Sequence, residues 1–254
     1  MHDLIDSHCH LDFEAFNHDR NAVIERARIK GIKQIVVPGV SRSQWPQVRD
    51  TCAQDGQIHA CFGLHPYMTP QHREDDINHL NYWLQKNECV AVGECGLEYR
   101  KDQDDKQLQL KYFIAQIEMA QYIDKPIVVH SVRATEDVIK SIRKHPGLRG
   151  MVHSYSGSFE QALQLVDMGF YISFGGSITY DRARKVRATA SKLPLESILL
   201  ETDAPDQPDA IHNNERNEPA YLINVLACLS QLRDESIGEI ASQTTNNSKK
   251  LFGI

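Results

Sequence analysis

Two histidines stand two residues apart in the segment Asp6-Ser7-His8-Cys9-His10. Side chains alternate along an extended strand, so His8 and His10 point the same way and Cys9 points to the other side. Two imidazoles on one strand face can hold one divalent ion; alone, the pair reads equally as two hydrogen-bonded polar residues. Other groups able to bind metal or phosphate follow at intervals, each behind a short apolar run: His65 in Gly63-Leu64-His65-Pro66, Glu94 after Gly93, His130 after Val129, His153 after Val152, and Asp203 in Glu201-Thr202-Asp203. A carboxylate buried at a strand end is costly unless it is paired or bound to a cation. Glu94 is therefore expected to bridge two cations, one on His8 and His10 and the other on His130 and His153. The other reading of Glu94 is a salt bridge to a loop arginine, and His130 and His153 taken singly read as core histidines. Five separate segments, each supplying a ligand type, make coincidence a poor account of the set.

Four imidazoles and two carboxylates suit zinc, manganese, nickel or iron better than the oxygen-preferring magnesium and calcium. The expected cofactor is two divalent ions per chain, with zinc, manganese, nickel and magnesium as the candidates. Two such ions about 3.5–4 Å apart, bridged by a carboxylate and water, can generate hydroxide near neutral pH and stabilise a leaving oxygen. Asp203 is expected to ligate one ion and to deprotonate the water. His65 has no evident place in that shell and reads as a contact to substrate phosphate, or else as packing before Pro66. Arg133, three residues past His130, and Ser154, next to His153, are the other expected substrate contacts. Ser154, Ser156 and Ser158 lack a GxSxG elbow, so they read as a polar loop rather than a nucleophile. Arg100-Lys101, Arg216 and the basic cluster from Arg182 to Arg187 follow predicted strands and can steer a polyanion. The last of these reads first as a solvated helix face.

A regular alternation of elements positions these residues. Short β-branched and apolar runs predict strands near residues 3–7, 34–38, 58–62, 90–93, 126–129, 150–152, 170–174 and 197–201. Helical spacing predicts helices through 19–30, 75–86, 105–123, 135–143, 159–167 and 182–192, and two more in the tail 218–250, split near Arg233 and Asp234. Along 105–123, Leu108, Tyr112, Ala115, Met119 and Tyr122 can share a face. Strands separated by helices pair in parallel, because each return needs a crossover. Eight such units predict an α/β fold, a closed (β/α)8 TIM barrel, as a single domain over residues 1–254. The other arrangement, an open doubly wound sheet, lacks a GxGxxG after its first strand. In a barrel the C-terminal strand ends share one rim, and all seven candidate groups fall there.

Composition agrees with a folded enzyme and excludes several other classes. The chain has 254 residues, of which 41% are hydrophobic and 24% charged, enough for a full core and unlike a disordered segment. No apolar run approaches the roughly 18–20 residues of a membrane span. Asp3 and Asp6 interrupt the start, where a signal peptide needs an apolar stretch, so a cytoplasmic location with no membrane partner is expected. Six cysteines without a CxxC pair read as reduced thiols. A net charge of −6 argues against coating nucleic acid through a basic field, but suits phosphate handled through metal ions.

In chain order, DSHCHLD, GLHP, VGECGLEY, PIVVHSVRA, VHSYSGS, ETDAP and RNEPAYL resemble the motif series of the TatD family of metal-dependent deoxyribonucleases, from His8 to Tyr221. The resemblance implies a TIM-type barrel of the wider amidohydrolase group, and a two-metal site on His8, His10, Glu94, His130, His153 and Asp203. It also implies hydrolysis of DNA phosphodiesters, typically 3′-to-5′ from an end. Glu94 stands where many amidohydrolases carry a carboxylated lysine, which favours this branch over dihydroorotase-like enzymes. Tyr67 stands where relatives often have a second histidine, Glu98 replaces a more usual aspartate, Ser154-Tyr155 replaces Cys-Phe, and Asp206-Gln207-Pro208 replaces a more apolar stretch. These departures bear on substrate choice rather than on hydrolysis. The expected partner is DNA presented as single-stranded ends, with no obligate protein partner. The competing functions are ester or amide hydrolysis by the same activated water, and non-catalytic metal-dependent binding. The latter would be expected to have lost a ligand, whereas this chain keeps all six.

Overall fold

The computed structural model describes residues 2–100 and 105–254, so Lys101 of the Arg100-Lys101 pair lies outside the described residues. Eight strands form one sheet in sequence order: β1 (Leu4–Asp6), β2 (Ile32–Gly39), β3 (Ile58–Phe62), β4 (Ala91–Glu98), β5 (Ile127–Val132), β6 (Gly150–Val152), β7 (Phe170–Phe174) and β8 (Ile198–Leu200). Every neighbouring pair from β1 to β8 is parallel. The helices are α1 (Arg20–Ile29), α2 (Trp45–Cys52), α3 (Asp76–Lys86), α4 (Lys106–Tyr122), α5 (Thr135–Arg143), α6 (Phe159–Asp167), α7 (Arg184–Lys192), α8 (Leu222–Leu232) and α9 (Ile237–Phe252). The sheet returns on itself where β8 meets β1. There the Ser7 N–H donates to the Leu200 carbonyl at 3.0 Å, and the Asp203 N–H donates to the His8 carbonyl at 2.9 Å. The buried Asp6 carboxylate crosses the same seam, accepting from the Thr202 N–H at 3.0 Å and the Thr202 hydroxyl at 2.5 Å. The result is the expected TIM barrel.

Two apolar layers hold it. Val36, Cys61, Ala91, Val128, Met151 and Leu199, one residue from each of six strands, cluster with Leu251 and Phe252 of α9. Residues from so many strands meet only inside the barrel, so this is its inner core, plugged by the chain's last helix. A larger cluster, including Val37, Phe62, Val92, Val129, Val152 and Ile172, packs the outer strand faces against the helices. Since strand side chains alternate, the residue two beyond each inner-core position faces inward again, one layer nearer the C-terminal rim. That residue is His130 after Val128, His153 after Met151, and Glu201 after Leu199.

β4 departs from the expected run, continuing through Glu98 instead of ending near Gly93. Val92 pairs with Ile127 but Cys95 pairs with Val129, so three steps on β4 face two on β5. This extra residue is a bulge, and it reverses the alternation. Glu94 thereby joins the inward set three residues after Ala91 rather than two. Helix α2 was not expected from periodicity. It spans eight residues and carries Pro46 in its first turn, where a missing N–H costs nothing. The buried side of α4 (Lys106–Tyr122) differs in part from its apolar stripe. Tyr122 is 81% exposed, while Gln109 and Gln116 are buried. Gln116 accepts from the Leu64 N–H at 2.7 Å and donates to the Leu64 carbonyl at 3.1 Å. Gln109 does the same to Glu98, at 2.8 and 3.0 Å. Each amide satisfies one backbone N–H and one C=O, as a neighbouring strand would. An apolar stripe cannot reveal this.

Gly96 lies on β4 with φ 139°, and a Cβ there would meet the His130 carbonyl oxygen at 2.1 Å; at Gly147, with φ 83°, a Cβ would meet nothing within 4 Å. Gly96→Ala is expected to cost about 3 kcal/mol or more and to lower Tm by roughly 6–12 °C. Gly147→Ala should cost only about 1 kcal/mol, the left-handed penalty alone. Thermal unfolding of both variants checks the difference, and equal losses would show that the β4–β5 spacing is not the constraint.

Candidate metal centre

Side chains of the segment just after β1, of β4 and of the segment after β8 converge on one point. His8 Nε2 lies 3.3 Å from both Glu94 Oε2 and Asp203 Oδ1, and His10 Nε2 lies 3.4 and 3.5 Å from the same two oxygens. The two imidazole Nε2 atoms are 3.4 Å apart. A tetrahedral cation with ligands at about 2.0–2.1 Å has donor–donor edges of about 3.3–3.4 Å. These five spacings fit that solid. His10 Nδ1 is 3.2 Å from the Pro38 carbonyl, which can only accept, so Nδ1 carries the proton and Nε2 presents a lone pair. Glu94 Oε2 is buried and has no hydrogen-bond partner among the described residues. The donor set therefore fits a divalent cation.

The other oxygen of Glu94 serves a second group. Glu94 Oε1 lies 3.0 Å from His130 Nδ1 and 2.8 Å from His153 Nε2, and those two nitrogens are 3.1 Å apart. His130 Nε2 is 3.2 Å from Glu98 Oε2, so Glu98 takes the Nε2 proton and leaves Nδ1 free to ligate. Glu98 in turn accepts from the Arg100 guanidinium at 2.7 Å. One carboxylate thus places one oxygen in each of two donor groups.

His65 joins this cluster, with its Nε2 3.0 Å from Glu94 Oε1. Proximity alone would make it a ligand, but its Nδ1 accepts the Tyr67 N–H at 3.0 Å. In the neutral ring the proton then sits on Nε2 and donates to Glu94. Burial holds His65 down at about 4, so the ring is neutral at physiological pH. Burial alone would raise the Glu94 carboxyl, but His65, His153 and His8 outweigh it and hold Glu94 well below the usual carboxylate range. Asp203 is held at about 2, the His8 hydrogen bond and nearby imidazole charge overcoming burial. Both carboxylates are thus anionic.

Two supporting residues were not anticipated. Glu201 sits behind His8 and His153, its ligand atom within 4.8 Å of theirs, and accepts the Ser154 N–H at 2.6 Å. Its position two residues before Asp203, on the same strand face, was the available signal. Gln207 donates from Nε2 to Asp203 Oδ2, and accepts from the Ser154 hydroxyl at 2.7 Å. The polar Asp206-Gln207-Pro208 stretch was visible in the sequence, but its contact with Asp203 was not.

A cavity of about 710 Å³ opens over these groups. His10, His65, Glu94, His130, His153 and Asp203 line its floor, and Phe13, Val40, Tyr67 and Met68 form an apolar wall beside Arg100, Ser154 and Ser156. Arg133 is not among the lining residues; it is exposed, on left-handed backbone with φ 54°. Arg100 does line the cavity, its guanidinium 5.8 Å from the Tyr67 ring centre. Arg216 has a different task, gripping Asp19 at 2.7 and 2.8 Å and Glu218 at 2.8 Å to tie the loop after β8 to α1. Within the basic cluster Arg187 is also internal, donating to the Ile178 carbonyl at 2.8 Å.

The model of the TatD related DNase family matches residues 5–253. The metal-dependent hydrolase YjjV of Escherichia coli strain K12 is 37% identical over 98% of each chain, and YabD of Bacillus subtilis strain 168 is 34% identical over 99% of each. The crystal structure of the Escherichia coli YjjV protein, a TatD homologue, superposes with a TM-score of 0.95 at 36% identity, covering 99% of this chain and 98% of that one. With its fold, its histidine-carboxylate centre and a family match running from residue 5 to residue 253, the chain belongs to the TatD family.

Proposed function

We propose that this protein is a divalent-metal-dependent hydrolase that cleaves phosphodiester bonds at single-stranded DNA ends, releasing nucleotides stepwise from the 3′ end. The observation carrying this reading is the division of Glu94, whose two oxygens serve separate donor groups 3.3–3.4 Å and 2.8–3.0 Å away on the cavity floor. The similarity to YjjV and YabD, both described as metal-dependent hydrolases, and to the TatD related DNase family supports it. His8, His10, Glu94 and Asp203 would hold one cation, and Glu94, His130 and His153 the other. Divalent cations in these positions supply a water of lowered pKa and positive charge to offset the leaving oxygen. Asp203 has one oxygen, Oδ1, among the donors, and its Oδ2, which also accepts from Gln207, would take the proton of the attacking water. Gln207 fixes the plane of that carboxylate, and the His65 Nε2–H fixes that of Glu94. The apolar wall of Phe13, Tyr67 and Met68 suits a base or sugar beside the phosphate. The net charge of −6 gives little hold on a long duplex, where affinity grows with the number of phosphates neutralised.

Glu94→Gln removes the charge both cation positions share. Metal analysis of the purified variant should show fewer ions per chain than the wild type's expected two, and hydrolysis should fall by several orders of magnitude. Unchanged stoichiometry would reject the bridge. Asp203→Asn keeps a weakly ligating oxygen but accepts a proton poorly, so turnover should collapse while at least one ion and substrate binding persist. Wild-type turnover by Asp203→Asn at neutral pH would remove its role as base. Metal-loaded wild-type protein should release mononucleotides from a single-stranded end and stop on addition of chelator. Turnover of an acyl ester, with no phosphodiester cleaved, would replace the reading with ester hydrolysis.

A further inference from the structure

The basic cluster after β7 is not spent on the fold alone. Arg187 is internal, but Arg182, Arg184 and Lys185 are exposed at the start of α7. Beside them lies a second cavity of about 700 Å³, lined by Tyr180, Arg182, Asn213 and Asn214 among others. It shares Ser177, Asp206 and Gln207 with the cavity over the metal centre, so the two adjoin as neighbouring parts of one surface groove. Gln207 is also the residue that holds Asp203.

The groove has a prebuilt stacking surface. The Tyr180 hydroxyl lies 3.0 Å from the Pro208 carbonyl, 3.2 Å from the Asp209 carbonyl and 3.1 Å from Asn213 Oδ1, which locks the ring against the loop after β8. The Arg182 guanidinium sits 4.8 Å from the centre of that ring. A guanidinium layered on an aromatic ring offers its outer face to a base and its N–H edge to a phosphate. Asp206 and Glu215 line the same cavity. Their carboxylates repel phosphate from their part of the groove, leaving Arg182 as the position for it. Asn213 and Asn214, both exposed, add donors and acceptors for a sugar or base edge.

We infer that this second cavity is the subsite for the nucleotide next to the scissile phosphate in a single-stranded substrate, with the base on Arg182 over Tyr180 and the adjoining phosphate on the Arg182 N–H edge. The inference rests on the phosphodiesterase reading and deepens it: the substrate is a strand of at least two nucleotides, held by stacking rather than by groove recognition of a duplex. The Tyr180–Arg182 pair acts in binding and takes no part in bond cleavage.

The test uses the full-length chain and two probes, a fluorescein-labelled eight-residue oligothymidylate and thymidine 5′-p-nitrophenyl phosphate, which fills the metal cavity alone. Anisotropy titrations with the oligonucleotide are made in chelator, so that binding is read without turnover. Arg182→Ala should weaken oligonucleotide binding about tenfold and reduce the slope of log K against log salt by about 1. Arg182→Lys should recover the salt slope but not the full affinity. In metal, the ratio of kcat/KM for the oligonucleotide to that for the nitrophenyl diester should fall about tenfold in Arg182→Ala, through KM. Unchanged affinity and slope in Arg182→Ala, equal losses on both probes, or no oligonucleotide binding by the wild type would each overturn the subsite. Failure of metal-loaded wild-type protein to cleave either probe would instead reject the phosphodiesterase reading, with the anisotropy series still deciding the subsite.

Discussion

The Glu94 carboxylate is the constraint around which the site is organised. It is 1% exposed, inside a barrel whose next layer down is wholly apolar, and an isolated charge there would be very costly. Five imidazoles surround it, with His8, His10, His65, His130 and His153 all within 3.4 Å of one of its oxygens. Many of the surrounding polar contacts set which imidazole nitrogen presents a lone pair. Pro38 does this for His10 and Glu98 for His130, while the Tyr67 amide makes His65 a donor. Tautomer control of this kind separates ligands from orienting residues within one crowded cluster.

The barrel serves this cluster through strand parity. Val128 and His130, Met151 and His153, and Leu199 and Glu201 each place a core side chain and a polar one on the same face, two residues apart. A single alternating pattern therefore closes the hydrophobic core and opens the polar site directly above it. β4 cannot follow that pattern and still turn Glu94 inward, and its bulge between Val92 and Cys95 supplies the extra residue. Gln109 and Gln116 of α4 secure the backbone near this region, at Glu98 and at Leu64 just before His65. The site is thus held by hydrogen-bonded main chain as well as by packing.

The loops above the rim add what the strands do not. The segment after β8 carries Asp203 and Gln207, forms the shared wall of both cavities, and is fastened to α1 by the Arg216, Asp19, Glu218 and Arg26 cluster. Asp19 is held at about 2 chiefly by its hydrogen bond from Arg216, so it stays charged and the fastening persists through ordinary pH. A rigid loop here keeps the Asp203 carboxylate and the Tyr180 ring in fixed relation.

The sequence by itself determined the barrel, its strand order and the family. Period-two and helical apolar patterns are local, and eight alternating units leave few topologies open. The residues that the structure gathers at the centre were also readable, because each stands at the end of an apolar run and metal chemistry restricts the residue types. Three things were decided only by tertiary structure. The inward turn of Glu94 depends on a register shift between two strands, which a one-dimensional pattern does not record. The role of His65 depends on which nitrogen meets the Tyr67 amide, and the buried face of α4 depends on glutamines that look solvent-exposed until strand ends arrive beside them. By position along the chain Arg133 was the favoured substrate contact and Arg100 only a residue able to steer a polyanion, yet Arg100 lines the cavity and Arg133 does not. Side-chain direction at a loop separates them, and that direction is set by backbone dihedrals and by neighbours distant in sequence rather than by residue type.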